Sequence, residues 1–356
     1  MQKNNLIIRA DASTEIGTGH IMRCLTLADF LRNYGCNVIF ICQELLGNLC
    51  DFLEEKNLQV CRLSVNHLNH ESFAQSELNQ IISIINQHNL TIDWLIIDHY
   101  KLDFKCEQAL RPFVNKIMVI DDLANRFHDC DLLLDQNPYN NYKIRYKDLV
   151  SPSCLQLLGL DYLMLRSEFT SKSIPPKKQT AIAQNILITM GGTDSRNITC
   201  WLIEALEYLR IPLSIRIVVG PVCPHINKIK LAASKATLHE ISVEQSVTNI
   251  SELMLWSDLA ICAGGFTTYE LAFMGVPTIV ISASATQLEA AIALHQLGIT
   301  KFIGEFGNIS MSSTVSTLSD MIFNSEKRIE LSHSGKAKID GYGVNRVVEN
   351  LLKEVS

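Results

Sequence analysis

A histidine ends a short glycine-bearing turn, Gly17-Thr18-Gly19-His20, which lies between the first apolar strand pattern and the first helical pattern. Glycines let the backbone turn tightly and let a ligand approach closely. A histidine at the start of a helix feels the positive end of the helix dipole, which favours the neutral imidazole. A neutral imidazole can act as a general base near pH 7. Position alone therefore leaves two interpretations of His20, a catalytic base and a residue that merely caps the helix.

Two later turns offer a different chemistry, the binding of an anion. Gly191-Gly192-Thr193-Asp194-Ser195 and Gly264-Gly265-Phe266-Thr267-Thr268 each follow an apolar strand pattern and precede a helical one, and Glu270 follows the second turn. Backbone N–H groups, hydroxyls and a helix dipole at such junctions can bind a diphosphate without a metal, and Glu270 could accept hydrogen bonds from ribose hydroxyls. The alternative is that the glycines are ordinary turn residues and that Thr267 and Thr268 are helix N-caps.

Other patterns that could carry chemistry are incomplete. The dinucleotide fingerprint G-x-G-x-x-G fails because Met22 occupies its third glycine, and the P-loop with its lysine is absent. Asp129-Cys130-Asp131 resembles a metal-binding D-x-D sequence, but it opens a strand and no further ligands lie nearby. Asp121-Asp122 ends a strand, where capping of the next turn is one interpretation and chemistry the other. His99 also stands at a strand end and is the second histidine of interest.

Composition excludes several classes of function. The chain of 356 residues has a formal net charge of −6 and no run of basic residues, so we expect no nucleic-acid partner and no membrane partner. Its 11 cysteines include no C-x-x-C pair and no zinc-site spacing, a usage that fits a reducing compartment. We therefore expect a cytoplasmic monomer that needs no metal and no other cofactor and whose partner is a small-molecule substrate.

Apolar strands that alternate with helical patterns must position these residues. Several strands in the first half end in carboxylates, as expected of a parallel sheet covered on both faces, and ligands gather at the carboxyl ends of such strands. A stretch of linker composition follows, and then the strand, glycine turn and helix pattern restarts. We predict two doubly wound α/β, Rossmann-like domains that face a central cleft, a GT-B-like arrangement. The domains are 1–172 and 185–356, joined by a linker at 173–184, and the last helix is free to pack back on the first domain.

The same motifs resemble a known family, the UDP-sugar hydrolases of pseudaminic acid biosynthesis (the PseG family), which are relatives of glycosyltransferases. The resemblance runs across nearly the whole chain. It is carried by these segments: Arg9-Ala10-Asp11, 17–23 (Gly-Thr-Gly-His-Ile-Met-Arg), Ile97-Asp98-His99-Tyr100, 121–126, 158–166, 191–197, 263–270 and 340–346.

The resemblance implies hydrolysis of UDP-2,4-diacetamido-2,4,6-trideoxy-β-L-altropyranose to the free sugar and UDP, with inversion at the anomeric carbon and with His20 as the residue that activates water. The residues that it places near the sugar are Asp11, Gly17, Gly19, Arg23, Tyr100, Asp121 and Gln287. The residues that it places near UDP are Gly191, Gly192, Asp194, Gly264, Gly265, Thr267, Thr268 and Glu270.

The sequence departs from the family pattern in two places. Phe266 stands where the family usually has serine, and Ser284-Ala285-Thr286-Gln287 stands where Ala-Glu-Asn-Gln is usual, so that only Gln287 carries over. Two alternatives therefore stay open beside the hydrolase. One is a glycosyltransferase that uses the same donor with a sugar acceptor, and the other is a UDP-sugar binding protein without catalytic activity.

Overall fold

The computed structural model describes residues 4–64, 73–88, 90–171, 180–221, 223–247 and 249–353. The chain divides into two compact units, one formed by Met1–Met164 with Tyr342–Ser356 and the other by Leu165–Gly341. Each unit contains its own parallel sheet with helices on both faces. Two parallel-sheet α/β units are what the strand and helix patterns predict.

The bounds of the regular elements are as follows. The strands are β1 (Asn5–Ala10), β2 (Asn37–Gln43), β3 (Gln59–Leu63), β4 (Trp94–Asp98), β5 (Lys116–Ile120), β6 (Leu132–Asp135), β7 (Leu155–Leu158), β8 (Asn185–Thr189), β9 (Ser214–Val219), β10 (Glu240–Gln245), β11 (Leu259–Cys262), β12 (Thr278–Ser282) and β13 (Lys301–Glu305). The helices are α1 (Gly19–Asn33), α2 (Cys50–Glu55), α3 (Phe73–Gln87), α4 (Phe104–Leu110), α5 (Ser167–Thr170), α6 (Ile198–Glu207), α7 (Ile226–Lys235), α8 (Ile250–Trp256), α9 (Thr267–Phe273), α10 (Ala285–Gln296), α11 (Met311–Phe323), α12 (Ser325–Lys338) and α13 (Gly343–Lys353).

The first unit contains a sheet in the order β3-β2-β1-β4-β5-β6-β7, in which every pair is parallel. Its central strands are buried on both faces, which explains their continuous apolar runs. Alternate residues point to opposite faces, so Ile8 and Ile96 pack in the core beside α1, whereas Ile7 and Ile97 pack in the core beside α3 and α4.

The direction in which the first sheet grows reverses between β1 and β4. Successive strands are added outward from β1 through β2 to β3, and β4 then lies on the other side of β1. In an open α/β sheet the carboxyl ends of the strands at such a switch point form a crevice in which ligands bind. The turn that contains His20 follows β1, and Asp98 ends β4, so both lie at this switch point.

The second unit repeats this logic with the order β10-β9-β8-β11-β12-β13, again with parallel pairs throughout. Its switch point lies between β8 and β11. The two glycine turns of the sequence analysis follow these two strands, at Gly191-Gly192 and Gly264-Gly265. The sheet order thus places both turns at the position where this fold class binds ligands.

The last helix, α13, belongs to the first unit. Its residues Val344, Val347 and Leu351 are buried in the same apolar core as α1, and the Trp94 indole N–H donates to the Leu351 carbonyl at 3.1 Å. The chain leaves the first unit at 164 and not at the predicted 172, because Phe169 is buried in an apolar core of the second unit. Most of the predicted linker, residues 173–184, lies outside the described residues.

Two further properties concern the whole of the described chain. All 11 cysteines are free thiols, and most of them are buried, where a thiol packs as a small apolar group. No helix among the described residues is long and apolar enough to cross a membrane.

Candidate active site

The first cluster of functional groups centres on His20 and Asp98. His20 is the second residue of α1, and its Nδ1 lies 2.5 Å from the Oδ1 of Asp98 at the end of β4. Because an ionised carboxylate only accepts hydrogen bonds, Nδ1 carries the proton, and the lone pair of a neutral imidazole is then on Nε2. The Arg23 Nη2 atom also lies 3.1 Å from Nδ1, but arginine can only donate and a protonated Nδ1 cannot accept, so these two atoms do not form a hydrogen bond. Asp98 therefore determines the tautomer of His20. None of the described residues forms a hydrogen bond with Nε2.

Arg23 holds the Asp98 carboxylate from one turn further along α1. Its Nε lies 2.6 Å from Oδ2 and its Nη2 lies 2.6 Å from Oδ1, a two-pronged ion pair in which the Asp98 side chain is fully buried. Burial by itself would raise the pKa of Asp98, but the charge of Arg23 and the hydrogen bonds from Arg23 and His20 lower the pKa well below its usual range. Asp98 is therefore ionised near neutral pH.

Tyr100 and Asp122 complete the cluster. The Tyr100 hydroxyl donates to Asp122 Oδ1 at 2.9 Å, and Arg23 Nη1 lies 3.2 Å from Asp122 Oδ2. The Tyr100 ring meets the His20 ring edge-on, with centroids 4.8 Å apart. Burial and then the charge of Asp122 raise the pKa of Tyr100, so its hydroxyl stays protonated. Because this side chain is 38% exposed, it is open to a ligand beside the imidazole.

The glycines of the turn before α1 leave space next to His20. Gly17 has a φ of +82°, which favours glycine, and its N–H donates to the Ser13 carbonyl at 2.8 Å. A Cβ added at Gly17 or at Gly19 would meet no atom within 4 Å. Thr18, the N-cap of α1, makes no side-chain cap hydrogen bond, so the first N–H groups of this helix are left for a ligand.

Asp11 and Asp121, which the sequence analysis places near the sugar, are both buried, each at 1% exposure. Asp11 is bound to Arg9, His99 and the Gln43 N–H, which leaves its carboxylate no open side. Asp121 accepts the N–H groups of Leu123 and Ala124 through Oδ2, the capping alternative considered above. Both carboxylates shape the loops around the His20 cluster without facing it.

In the second unit, Asp194 closes the helix that follows the first glycine turn. Its Oδ1 accepts the Ile198 N–H at 2.8 Å and its Oδ2 accepts the Thr199 N–H at 3.1 Å, so the start of α6 is capped by its own carboxylate. The expectation that this helix end is open to a diphosphate is therefore corrected. The Asp194 carboxylate occupies the position at the start of α6 that a diphosphate would take, and it is negatively charged like a diphosphate. Gly191 and Gly192 have open space where a Cβ would be, so their backbone is still accessible.

The second glycine turn lies beside Gln287. A Cβ added at Gly264 would lie 3.2 Å from the Gln287 Cβ, and one at Gly265 would lie 3.9 Å from Gln287 Nε2. The Gln287 Oε1 accepts the Ala283 N–H at 3.0 Å, which fixes the amide and leaves its Nε2 on the side of the turn. Gln287, placed near the sugar by the resemblance, thus joins the groups around this turn in the second unit.

The threonines after this turn have different environments. Thr268 is buried, and its hydroxyl donates to the Ala263 carbonyl at 3.0 Å, so it closes the turn from inside and does not face a ligand. Thr267, the first residue of α9, is half-buried. Of the two, only Thr267 is accessible to a ligand at the turn.

Glu270 is held by Arg166. The Arg166 Nε donates to Glu270 Oε1 at 2.7 Å, and the guanidinium lies over the Phe169 ring. Burial raises the pKa of Glu270, whereas the charge of Arg166 lowers it, and the net shift is upward. An oriented, largely buried carboxylate of this kind is suited to accept hydrogen bonds from sugar hydroxyls.

Three residues in these clusters, Asp98, Asp122 and Arg166, are not among the site residues predicted from the sequence. A signal was present for Asp98, because a carboxylate that ends a central strand of a parallel sheet lies at the ligand edge. Its pairing with His20 and Arg23 depends on the packing of α1 against β4, which residue spacing does not specify. Among the described residues, no group of three or more His, Cys, Asp and Glu side chains could hold a metal ion.

Similarity to known proteins agrees with this architecture. Residues 185–341 match the C-terminal domain of glycosyltransferase family 28. The chain is 29% identical over 250 residues to the UDP-2,4-diacetamido-2,4,6-trideoxy-beta-L-altropyranose hydrolase of Campylobacter jejuni subsp. jejuni, across 70% of this chain and 81% of that protein. The predicted resemblance to this kind of hydrolase is therefore confirmed.

Two further similarities bear on length and fold. An uncharacterized protein of Methanocaldococcus jannaschii is 27% identical over 292 residues, or 80% of this chain, and the match spans 57% of that relative. The crystal structure of MurG from Acinetobacter baumannii superposes with a TM-score of 0.71 at 16% identity, covering 99% of this chain and 100% of that one. The protein has the predicted GT-B-like fold.

Asp135, at the end of β6, is a further buried carboxylate of the first unit, and it shares the Tyr146 hydroxyl with Asp121. The Tyr146 hydroxyl is 2.9 Å from Asp121 Oδ2 and 3.2 Å from Asp135 Oδ2, although it has one proton to donate. A proton on Asp135 resolves this conflict, because the protonated carboxyl can donate to the phenol oxygen while the phenol donates to Asp121. Burial raises the pKa of Asp135 to about 6, in agreement with such a proton.

This geometry predicts a pH dependence of stability. Since the pKa of Asp135 is higher in the folded than in the unfolded chain, folded protein binds this proton more tightly, and the free energy of unfolding rises as pH falls through 6. Asp135→Asn removes the titration. Between pH 7.5 and 4.5 wild type should gain about 2 kcal/mol relative to this variant, measured by urea unfolding.

The control is Asp148→Asn, at an exposed carboxylate of the same unit. The difference in the free energy of unfolding between this variant and wild type should stay constant across this pH range. A constant difference between wild type and Asp135→Asn from pH 7.5 to 4.5 would show that Asp135 stays ionised in the folded protein down to pH 4.5 and would contradict the raised pKa.

Proposed function

We propose that the protein hydrolyses a UDP-sugar, with UDP-2,4-diacetamido-2,4,6-trideoxy-β-L-altropyranose as its substrate, to the free sugar and UDP. The observation that carries the proposal is the His20–Asp98 pair at the switch point of the first sheet, where the imidazole is held in one tautomer. The similarity to the Campylobacter hydrolase supports the choice of reaction and substrate.

The first unit supplies the base. Nε2 of His20 accepts a proton from a water molecule as the water oxygen attacks the anomeric carbon, and the Asp98 carboxylate stabilises the imidazolium that forms. Arg23 keeps Asp98 ionised and in place. The bond from the anomeric carbon to the diphosphate oxygen breaks with its electron pair on UDP, through an oxocarbenium-like transition state. Attack opposite the leaving group inverts the anomeric carbon.

The second unit supplies the groups that hold UDP. Backbone N–H groups at Gly191-Gly192 and Gly264-Gly265 stabilise the charge that grows on the departing diphosphate, with the Gln287 amide beside the second turn. Glu270, oriented by Arg166, accepts hydrogen bonds from ribose hydroxyls. Since Asp194 already caps α6, the stabilisation depends on the glycine backbone at that junction and not on an open helix end.

The second candidate is a glycosyltransferase that passes the same sugar to an acceptor hydroxyl in place of water. The match of residues 185–341 to the C-terminal domain of glycosyltransferase family 28 favours it. The two functions share a donor site and a base. They differ in whether UDP is released in the absence of an acceptor.

The decisive experiment measures UDP release from purified protein and UDP-sugar alone. Wild type should turn over many times, whereas a transferase without acceptor should stay nearly silent. His20→Ala should abolish turnover, and Asp98→Asn, which no longer fixes the tautomer of His20, should lower kcat by roughly 10²- to 10⁴-fold. Both variants should bind UDP as wild type does by calorimetry, because the groups proposed to hold UDP are in the other unit.

A His20→Ala variant that turns over at near wild-type rate would remove His20 from the mechanism. UDP-sugar binding by wild type without any UDP release, together with release once acceptor hydroxyls are added, would replace the hydrolase with the transferase.

A second experiment tests the assignment of Glu270 to the ribose. Wild type should bind UDP about tenfold more tightly than 2′-deoxy-UDP, as expected for one hydrogen bond to a charged acceptor. Glu270→Gln should weaken UDP binding and reduce this preference to about threefold or less, because the charge of the acceptor is lost. Calorimetry with both nucleotides measures the two effects together as a double-mutant cycle.

The control for this cycle is Glu326→Gln, at an exposed site on α12 in the same unit, which should change neither affinity. If Glu270→Gln kept the full preference for UDP over 2′-deoxy-UDP, Glu270 would not contact the 2′-hydroxyl.

A further inference from the structure

His99 lies between two residues of the His20 cluster but faces the other side of the sheet. Asp98 contacts His20 and Arg23 of α1, and Tyr100 contacts the His20 ring. His99 instead turns its Nε2 to Asp11 Oδ2, at 3.2 Å, and is 9% exposed. Alternation along β4 explains the reversal, since Trp94 and Ile96 pack beside α1 like Asp98, while Leu95 and Ile97 pack on the opposite face.

The hydrogen bonds of His99 define its tautomer. The Lys101 N–H donates to His99 Nδ1 at 3.2 Å, so Nδ1 is the acceptor and Nε2 carries the proton. The Nε2–H group is therefore the one that contacts Asp11 Oδ2, at 3.2 Å. The two histidines have opposite tautomers, with the proton on Nδ1 in His20 and on Nε2 in His99.

Asp11 is a fixed anchor for this bond. Arg9 Nη1 and Nη2 lie 2.6 and 2.7 Å from its two oxygens, and the Gln43 N–H donates to Oδ1 at 2.7 Å. Arg9 is held in turn by Glu77 of α3, at 2.6 Å from Nη2. One buried carboxylate thus joins the carboxyl ends of β1, β2 and β4, which are neighbours in the sheet.

The ladder between β1 and β4 stops where the functional residues begin. Its last pair is Ala10 with Asp98, so residues 99 and 100 continue beyond the ladder. The bond from His99 to Asp11 is the next cross-connection between the same two chain segments. A side-chain contact on the face opposite to the cluster therefore helps to hold the backbone at 98–100, together with Arg126, whose Nη2 donates to the His99 carbonyl at 3.4 Å.

We propose that His99 is a positioning residue for the His20 cluster, which acts by holding residues 98–100 against Asp11 so that Asp98 meets His20 Nδ1 and Tyr100 meets its ring. The inference rests on the proposed function in so far as the cluster is the catalytic one. It also changes the role that the resemblance implies for Asp11, from a group near the sugar to the anchor of the base.

The experiment uses NMR of ¹⁵N-histidine-labelled full-length protein near neutral pH together with steady-state kinetics. In wild type, His20 should show the Nδ1–H tautomer and His99 the Nε2–H tautomer. His99→Ala should convert His20 to a mixture of tautomers and lower kcat by about tenfold or more, with KM and UDP affinity within about twofold of wild type. His99→Gln, whose amide can donate to Asp11, should recover most of both losses.

His333→Gln, at an exposed histidine of α12, is the matched control and should match wild type in every readout. A folded His99→Ala protein with the wild-type His20 tautomer and kcat would overturn the proposal. Should that variant fail to fold, wild type still decides it, because an Nδ1–H tautomer at His99, with no proton on Nε2, contradicts the bond to Asp11. The tautomer measurements need no substrate, so they stand even where UDP-sugar turnover is absent.

Discussion

The ion pair between Asp98 and Arg23, with His20 on the same carboxylate, is the interaction on which the rest of the site depends. A carboxylate buried at the end of a central strand is costly unless it is paired, and Arg23 pairs it through two short bonds. The same carboxylate then fixes the proton of His20 on Nδ1. The Asp98 carboxylate, which must be paired for the protein to fold, is therefore also the group that orients His20.

The supports of this pair come from both faces of the first sheet. On one face, α1 carries His20 and Arg23 on neighbouring turns, so one helix delivers both partners of Asp98. On the opposite face, Arg9, Asp11 and His99 join the strand ends beneath it. In the second unit the groups proposed to hold UDP also lie at a switch point, because the turns after β8 and β11 follow the two strands between which the strand order reverses.

The sequence predicts the architecture well because continuous apolar strands and glycine turns are local signals with a direct physical cause. It also places His20 and both glycine turns at the carboxyl ends of the strands that they follow. It does not specify where side chains turn once they are there. Asp11, Asp121 and Asp194 look like ligand-facing carboxylates in sequence, but each is buried in contacts to arginine, histidine or backbone N–H groups. Those partners, such as His99 for Asp11, come together only through the packing of strands and helices.

In the proposed reaction, the base in the first unit directs water to the anomeric carbon and not to phosphorus. Hydrolysis in H₂¹⁸O, followed by mass spectrometry of both products, shows directly which atom the water attacks. Attack at the anomeric carbon should leave one ¹⁸O in the free sugar, measured before exchange at the reducing carbon, and none in UDP. Incorporation of ¹⁸O into the terminal phosphate of UDP would show attack at phosphorus and would contradict the role assigned to His20 and Asp98.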